Sequence, residues 1–347
     1  MTTTTSPPVT DTSHVLEVAD LSVSFRTEGG TVSAVDKVDL RLDAGEIVGI
    51  VGESGCGKSV MAMALAGLLP ASAHVTGSAR LDGSELLGAK ESTLRRIRGR
   101  DIAYIFQEPM TSLNPVLTVG RQIGEVLQAH EQLSRARART RAIELMNLVG
   151  IPSAHERVDT YPHQMSGGLR QRVVIAMAVA CGPKVLVADE PTTALDVTVQ
   201  AGILNVLRDL RNGLGTSILF ITHDLGVIAD IADRVVVMYA GRVVESAPVQ
   251  DLFDDPRHRY TAGLLQASPK PDRYAGSDRL QEIPGLVPVL STHPDACTFA
   301  DRCANASAQC RTSEPPLVGY AGEPQGDHLA ACWHPNISGH EENAEER

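Results

Sequence analysis

The sequence predicts an α/β fold built around a buried parallel sheet, and two apolar runs with their flanking residues carry this prediction. The run 47–51 leads into a glycine-rich segment, 52–59, and then into a helix-like run, 60–69. A second run begins at Val185 and ends in two carboxylates. Short apolar strands followed by helices are typical of parallel sheets, which bind ligands outside the carboxyl ends of their strands.

The glycine-rich segment matches the phosphate-binding pattern G-x-x-x-x-G-K-[ST]. Its residues are Gly52, Glu53, Ser54, Gly55, Cys56, Gly57, Lys58 and Ser59, followed by Val60. The glycines let backbone N–H groups turn toward phosphate oxygens at a helix N-terminus, where the helix dipole favours anions. We expect Lys58 to bind the β- and γ-phosphates of ATP and Ser59 to ligate Mg²⁺. The alternative is a glycine-rich turn that binds nothing.

The second apolar run ends in Asp189 and Glu190. Asp189 suits a Mg²⁺ site because Mg²⁺ prefers oxygen ligands. Since alternate residues of a strand point in opposite directions, we expect Glu190 to face the γ-phosphate and to polarise an attacking water. The alternative is a surface acidic pair that ends a strand.

With these motifs in this order, the chain resembles the nucleotide-binding subunits of ATP-binding-cassette transporters over about residues 15–250. The segment Met165-Ser-Gly-Gly-Leu-Arg-Gln171 resembles the family signature, Gln107 the glutamine after an apolar strand, 194–196 the D-loop and His223 the switch histidine. The resemblance implies a P-loop NTPase (RecA-like) core with an antiparallel β subdomain and a helical signature subdomain at about 108–180.

The resemblance also implies a composite ATP site in which two cassettes face each other head to tail. Each ATP would lie between segment 52–59 of one cassette and the N-terminus of the signature helix, predicted over 169–180, of the other. The implied catalytic residues are Glu190, His223 and Gln107, and the implied nucleotide contacts of the signature and D-loop are Ser166, Gly167, Gly168 and Asp196. Gln107 would also ligate Mg²⁺.

Three positions depart from the commoner family pattern. Met165 and Leu169 stand where Leu and Gln are more usual, so Ser166 and Gly168 are expected to carry the phosphate recognition. Phe25 occupies the place of an aromatic, often Tyr, that stacks on adenine. The alternative for Phe25 is a core aromatic of the first strand.

Further segments resemble the ATPase subunits of oligopeptide and dipeptide importers: residues 107–115, 161–165, 196–200 and the tail after 250. Pro109 and Pro115 predict irregular structure after Gln107, and the runs 119–129 and 134–149 have apolar residues at helical spacing. Relatives of this subfamily also carry nickel, glutathione or oligosaccharides, and the chain does not distinguish among these substrates.

The tail holds four of the six cysteines, Cys297, Cys303, Cys310 and Cys332. Four cysteines can ligate zinc or an iron–sulfur cluster, although these spacings are wider than the usual zinc pairs. The tail resembles the C-terminal region of peptide-importer ATPases, which favours a [4Fe–4S] cluster; zinc, and free or disulfide-bonded cysteines, are the alternatives. Cys56 and Cys181 are expected to be small buried residues.

Charge and hydropathy limit the partners and the location. The net charge of −11 argues against nucleic-acid binding, which favours a basic surface. Two arginine clusters are present, at positions 95, 96, 98 and 100 and at positions 135, 137, 139 and 141. We interpret both as solvated helix faces; the alternative is a surface that binds anionic groups. No apolar run approaches the roughly 20 residues that span a bilayer, so we expect a soluble chain.

The predicted organisation begins with a flexible tail at 1–13 and an ATP-binding cassette at 14–250. A small irregular C-terminal domain with the four cysteines, which resembles the oligopeptide/dipeptide-transporter C-terminal region, follows at 251–338, and an acidic disordered tail at 339–347. The resemblance implies a peripheral protein at the cytoplasmic face of the membrane. Its partners would be a second cassette, identical or related, two permease subunits and an extracytoplasmic substrate-binding protein. A soluble cassette ATPase of DNA repair or translation is the alternative, and the single cassette without a heptad run argues against it.

Overall fold

The computed structural model describes residues 14–107, 112–193, 195–267, 282–319 and 327–336. The predicted tails at 1–13 and 339–347 lie outside the described residues, as do Pro109 and the D-loop residue Ala194. Within the described residues the fold has two sheets with helices packed around them.

The smaller sheet is antiparallel, as predicted, with the strand order β2-β1-β4-β5. Its strands are β1 (His14–Thr27), β2 (Gly30–Asp43), β4 (Ala73–Leu81) and β5 (Ser84–Glu85). The register of β1 shifts beside Asp20, whose backbone is left-handed (φ 50°), and this bulge bends the long strand. Phe25 lies near the end of β1 and is half-buried.

The larger sheet has the strand order β11-β10-β9-β3-β8-β7-β6. Its strands are β3 (Ile47–Val51), β6 (Ile102–Ile105), β7 (Val185–Asp189), β8 (Ser217–Ile221), β9 (Arg234–Tyr239), β10 (Arg242–Pro248) and β11 (Leu329–Ala330). The strands from β9 to β6 are parallel, whereas β10 and β11 are antiparallel to their neighbours. The α/β fold with a parallel sheet at its centre is therefore confirmed.

The central strands are apolar on both faces because each face covers a different core. In β3, Ile47 and Val51 pack into one hydrophobic core, and Val48 and Ile50 pack into the other. This alternation follows from the two-residue period of a strand. The parallel strands end together at one edge of the sheet, where the functional side chains lie.

The helices in chain order are α1 (Lys58–Leu65), α2 (Glu91–Ile97), α3 (Val119–Glu131), α4 (Arg135–Leu148), α5 (Ala154–Arg157), α6 (Gly167–Ala178), α7 (Val197–Leu214), α8 (Leu225–Ile231), α9 (Val249–Asp254), α10 (Arg259–Ala267) and α11 (Ala308–Thr312), with a 3₁₀ turn at Pro162–Gln164. None of them, in the parts of the chain that the structure describes, is long and apolar enough to cross a bilayer.

The predicted helical runs 119–129 and 134–149 correspond to α3 and α4. The Ser134 hydroxyl accepts a hydrogen bond from the backbone N–H of Arg137 and caps α4. Both helices pack against α6, with Ile123, Leu127 and Leu145 buried between them. Arg139 in the second arginine cluster pairs with Asp159 at 2.6 and 2.7 Å, so part of that positive charge is neutralised.

The C-terminal residues share a sheet and a core with the rest of the chain. β11 pairs with β10, and the ring of Phe299 packs edge-on against Tyr239 at 5.2 Å between ring centroids. The buried Glu245 carboxylate accepts hydrogen bonds from the backbone N–H groups of Arg257 and His258 at 2.7 and 2.9 Å. These contacts fix the part of the tail that holds the four cysteines, the cysteine-containing segment, against the larger sheet.

Candidate functional site

The segment 52–59 joins β3 to α1 in a tight loop. At two positions of this loop only glycine fits. Gly52 and Gly57 have φ values of 152° and 104°. A Cβ atom on Gly52 would lie 2.2 Å from the carbonyl oxygen of Met238, and one on Gly57 would lie 2.3 Å from that of Ala34. The loop therefore packs directly against the backbones of β9 and β2, and its positive-φ glycines allow the turn that a phosphate cradle requires.

Lys58 projects back across this loop. Its Nζ atom donates hydrogen bonds to the carbonyl oxygens of Gly52 and Glu53 at 2.7 and 3.0 Å, and the residue is only 6% exposed. No acidic side chain lies in the first turn of α1. The loop thus combines a buried ammonium group with a helix N-terminus, and both favour a polyanion.

The remaining loop residues have different environments. Ser54 and Gly55 are exposed, and Val60 packs on the core beneath α1. Cys56 is fully buried, as predicted, and burial raises the pKa of its thiol. Cys181 is half-buried rather than buried, and burial raises its pKa to about 11.

Ser59 and Asp189 meet at the carboxyl end of the sheet. The Ser59 hydroxyl donates to Oδ1 of Asp189 at 3.0 Å, and the Tyr104 hydroxyl donates to Oδ2 at 2.7 Å. Burial raises the pKa of Asp189, although both hydrogen bonds oppose the shift. Burial and the adjacent Asp189 also raise the pKa of Tyr104, which keeps its hydroxyl protonated as a donor.

This donor set fits a magnesium ion. A hydroxyl and a carboxylate oxygen, already 3.0 Å apart beside the phosphate loop, are the kind of protein ligands that Mg²⁺ takes alongside phosphate oxygens. Tyr104 was not identified from the sequence. Its proximity to Asp189 follows from the strand order, because Tyr104 lies on β6, which pairs in parallel with β7, near the end where Asp189 lies.

Glu190 lies one residue beyond β7. The direction of its side chain is therefore not set by the alternation of residues along the strand. Its backbone is left-handed (φ 48°), and its N–H donates to the Ile221 carbonyl of β8 at 2.9 Å. Non-glycine residues with this conformation are uncommon and cluster at functional sites. A turn after the strand therefore sets the direction of the Glu190 side chain, and its position facing the γ-phosphate stays a prediction.

Three side chains surround the Glu190 carboxylate. Gln107 Nε2 and the Thr193 hydroxyl each lie 2.8 Å from Oε2, and His223 Nδ1 lies 3.1 Å from Oε1. Burial raises the pKa of Glu190, but the hydrogen bonds from His223 and Thr193 outweigh it and the net shift is downward. The carboxylate is therefore ionised at neutral pH. Thr193 was missed in the sequence because a single threonine carries no motif.

Gln107 contacts Glu190 through its amide nitrogen, so the structure joins it to the acidic side chain. Its predicted role as a Mg²⁺ ligand stays a prediction. The structure thus places two groups of contacts at the edge of the sheet: Ser59 with Asp189, and Gln107 and His223 with the next residue, Glu190. Lys58 directly precedes Ser59. The catalytic roles of these residues stay predictions.

The signature and D-loop residues lie at the N-termini of two helices, α6 and α7. The Ser166 hydroxyl accepts from the backbone N–H of Leu169 at 3.4 Å, and the Asp196 carboxylate accepts from that of Val199 at 2.9 Å. A Cβ atom on Gly168 would lie 2.5 Å from Cγ1 of Val199, so the contact between α6 and α7 also requires glycine there. The signature residues Ser166, Gly167 and Gly168 lie at the start of α6, where backbone N–H groups are free of helical partners.

The four tail cysteines lie close to one another, although their spacings in the sequence are wider than those of the usual zinc pairs. None of the four forms a disulfide bond, and the backbone N–H of Cys297 donates to the carbonyl of Cys310 at 2.9 Å. Burial, with the other three cysteines nearby, raises the pKa of Cys297 to about 11, and burial also raises that of Cys332. In the described parts of the chain, no three His, Cys, Asp or Glu side chains are placed to hold a single metal ion.

Comparison with known families gives two matches. The family model described as ABC transporter matches residues 35–193, and the model described as the C-terminal region of oligopeptide/dipeptide transporters matches residues 244–310. The second match includes three of the four tail cysteines, Cys297, Cys303 and Cys310.

Individual relatives agree with these matches. The oligopeptide transport ATP-binding protein OppD of Bacillus subtilis is 50% identical over 327 residues, which cover 93% of this chain and 90% of that protein. OppD of Mycobacterium tuberculosis is 52% identical over 321 residues, and the chain spans about half (52%) of that longer relative. The ATP-binding cassette MJ0796, solved as a dimer in a post-hydrolysis state with ADP and Pi, aligns with a TM-score of 0.61 and 27% identity, covering 67% of this chain and 98% of that one.

Proposed function

The chain belongs to the ATP-binding proteins of ABC transporters, in the oligopeptide and dipeptide branch, and from that premise we propose that it is the ATP-hydrolysing subunit of a membrane importer of peptides. The observation that carries this proposal is the connected site in which the phosphate loop, the Ser59–Asp189 pair and the bonded Glu190 carboxylate lie together. In this proposal the protein is peripheral, at the cytoplasmic face of the membrane.

We infer a separate role for each of these groups in ATP hydrolysis. The backbone N–H groups of 52–59 and the ammonium group of Lys58 bind the β- and γ-phosphates. Ser59 and Asp189 would hold Mg²⁺, which neutralises phosphate charge when bound. Half-buried Phe25 supports adenine stacking, in which a phenyl ring replaces the more usual phenol.

Glu190 orients the attacking water in this mechanism. Its ionised carboxylate accepts a hydrogen bond from the water and takes its proton as the oxygen attacks the γ-phosphorus. The bond between the γ-phosphorus and the bridging oxygen breaks, and ADP and inorganic phosphate leave. Gln107 and His223 hold the carboxylate in place through the bonds described above.

A second cassette completes the site in this proposal. The exposed N-terminus of α6, with Ser166 as its cap, supports an approach to the γ-phosphate bound on a partner chain. ATP would thus bias a two-state dimer toward closure, and hydrolysis would release it.

A groove beside the site supports a permease contact. It has a volume of about 600 Å³ and lies between β6 and the helices α3 and α6, with the 45%-exposed Phe106 and the exposed Ala129 in its lining. Exposed apolar surface of this kind marks interaction sites. Since Phe106 directly precedes Gln107, an occupant that contacts Phe106 would bind next to the residue that bonds Glu190. We propose that a cytoplasmic segment of the permease binds there.

We predict that Ala129→Glu abolishes peptide uptake without changing ATP binding, because it places a carboxylate in the groove but outside the phosphate site. Ala136→Glu is the matched control, since Ala136 is an exposed helical alanine of α4 outside this groove. The measurement is uptake of a radiolabelled tripeptide by cells in which each variant replaces the wild-type chain. Equal uptake by the two variants would contradict the assignment of the groove.

The same assay tests the substrate class. In cells with the wild-type chain, unlabelled peptides are expected to compete with the labelled tripeptide, whereas nickel, glutathione and oligosaccharides are not. If replacing the chain with Lys58→Ala leaves tripeptide uptake intact but stops uptake of one of the other substrates, the peptide proposal is wrong and the importer proposal stands.

We also propose that Cys297, Cys303, Cys310 and Cys332 hold a [4Fe–4S] cluster. Four cysteines close to one another can ligate such a cluster, and the sequence spacings are wider than those of the usual zinc pairs. Because burial keeps the Cys297 and Cys332 thiols protonated, cluster assembly would release protons. The cluster would stabilise the fold of the C-terminal region.

Anaerobic purification followed by iron and sulfide analysis is expected to find about four of each per chain. Cys297→Ala should lose them, whereas Cys181→Ala, the control thiol outside the tail, should keep them. Zinc without sulfide, or no metal in wild-type protein from iron-replete cells, would refute the cluster.

A further inference from the structure

The phosphate loop is held by a side chain from the distant cysteine-containing segment. Arg302 forms a two-pronged ion pair with Glu53, the second residue of the loop, with Nη1 to Oε2 at 2.6 Å and Nη2 to Oε1 at 3.0 Å. The two residues are 249 positions apart. A parallel pair of charge-assisted hydrogen bonds fixes both position and orientation.

Arg302 is itself rigidly held. Its Nε donates to the carbonyl of Pro284 at 2.7 Å, its Nη2 to that of Ile283 at 3.2 Å, and the guanidinium lies 5.7 Å from the centre of the Tyr239 ring. The Arg302 side chain is 6% exposed, and that of Glu53 is 30% exposed. A buried guanidinium needs a charged partner, and Glu53 is the carboxylate that it contacts.

The backbone of Glu53 makes two further contacts that lead into the ATP site. Its N–H donates to the Tyr260 hydroxyl at 2.8 Å, and its carbonyl accepts from Nζ of Lys58 at 3.0 Å. Tyr260 packs against Phe299, three residues before Arg302, at 5.4 Å between ring centroids. The cysteine-containing segment therefore supports the side chain of Glu53 directly and its backbone through Tyr260.

We propose that Arg302 is a positioning residue of the ATP site, which neutralises Glu53 and fixes the loop residue whose carbonyl binds Lys58. The inference rests on the proposed ATP binding and adds to it that the C-terminal region forms part of the nucleotide site. Without Arg302, the Glu53 carboxylate lies unpaired in a loop that binds a polyanion. Like charges in a partly buried site repel, and ATP carries more negative charge than ADP.

The experiment is a double-mutant cycle on the full chain. Arg302→Met, Glu53→Gln and the double variant are compared for the dissociation constants of N-methylanthraniloyl ATP and ADP, with the melting temperature measured for each. Arg302→Lys tests whether a single charge suffices. Arg311→Met is the matched control, because Arg311 forms a comparable but exposed ion pair with Asp301 in the same region.

We expect Arg302→Met to raise the dissociation constant for the ATP analogue about tenfold, which is within the range of measured couplings between contacting residues, and to raise that for the ADP analogue less. Adding Glu53→Gln should restore most of the lost affinity, since the repelling charge is gone. Arg302→Lys should lie between wild type and Arg302→Met, and Arg311→Met should match wild type.

A folded Arg302→Met that binds ATP as wild type does would overturn the inference. Equal losses of affinity for ATP and ADP that Glu53→Gln fails to restore would also overturn it. Such losses would indicate a purely structural role for Arg302. If wild-type chain binds neither analogue, the proposed ATP binding itself fails, which separates the two outcomes.

Discussion

Lys58→Ala is expected to lower ATP turnover by about two orders of magnitude or more. The ammonium group lies in the phosphate loop, on the carbonyls of Gly52 and Glu53, and is only 6% exposed. Removing a single preorganised donor to a developing charge typically costs 10²–10³ in rate, about 3–4 kcal/mol, and here the donor also carries a full charge. Binding of ATP should weaken together with turnover, because in the proposed mechanism Lys58 binds the phosphates before the reaction as well as during it.

The control for this prediction is Lys90→Ala, which removes an exposed lysine at the start of α2. Both variants are measured for ATP affinity and for phosphate release, and the melting temperature shows whether each is folded. A folded Lys58→Ala chain that hydrolyses ATP at the wild-type rate would contradict the assignment of the loop.

Glu190→Gln is expected to keep ATP binding and to lose most turnover, by about 10²–10⁴, the usual contribution of a general base. The substitution suits the site because an amide oxygen can still accept from Gln107 and Thr193. The amide nitrogen then faces His223 Nδ1, which accepts in one neutral tautomer of the ring. The site should therefore keep its shape while losing the group that takes the proton.

ATP bound to Glu190→Gln should also accumulate the closed dimer, because the step that releases it is blocked. Size-exclusion chromatography with and without ATP measures this, and Glu144→Gln, which alters an exposed carboxylate paired with Arg141, is the control. Wild-type turnover in a dimer containing only Glu190→Gln chains would refute the role of Glu190.

The fold was predictable where a local pattern determined it. The apolar run 47–51 is β3 within its predicted bounds, and the apolar spacing of 119–129 and 134–149 marked α3 and α4. The helix after the phosphate loop begins at Lys58 and ends at Leu65, earlier than the predicted run 60–69. The apolar character of Leu68 and Leu69 continues past the end of the helix, so hydropathy alone did not locate it.

The site was predictable where it is built from motifs and unpredictable where distant segments meet. Glu190 was identified, but a left-handed turn places it, and no periodicity reveals such a turn. Tyr104 reaches Asp189 across 85 residues and Arg302 reaches Glu53 across 249. Such contacts depend on strand order and on how the C-terminal segment folds back, which a single sequence does not specify.

Co-purification tests whether the ATP site powers transport through membrane partners. Tagged Glu190→Gln, which should hold the closed dimer, is isolated from native membranes with ATP present, and the proteins that remain bound are identified by mass spectrometry. We expect to recover two polytopic permeases, with the second cassette either this same chain or a related one. Recovery of ribosomal or DNA-repair proteins without a membrane partner would contradict the transport function while leaving the ATP site intact.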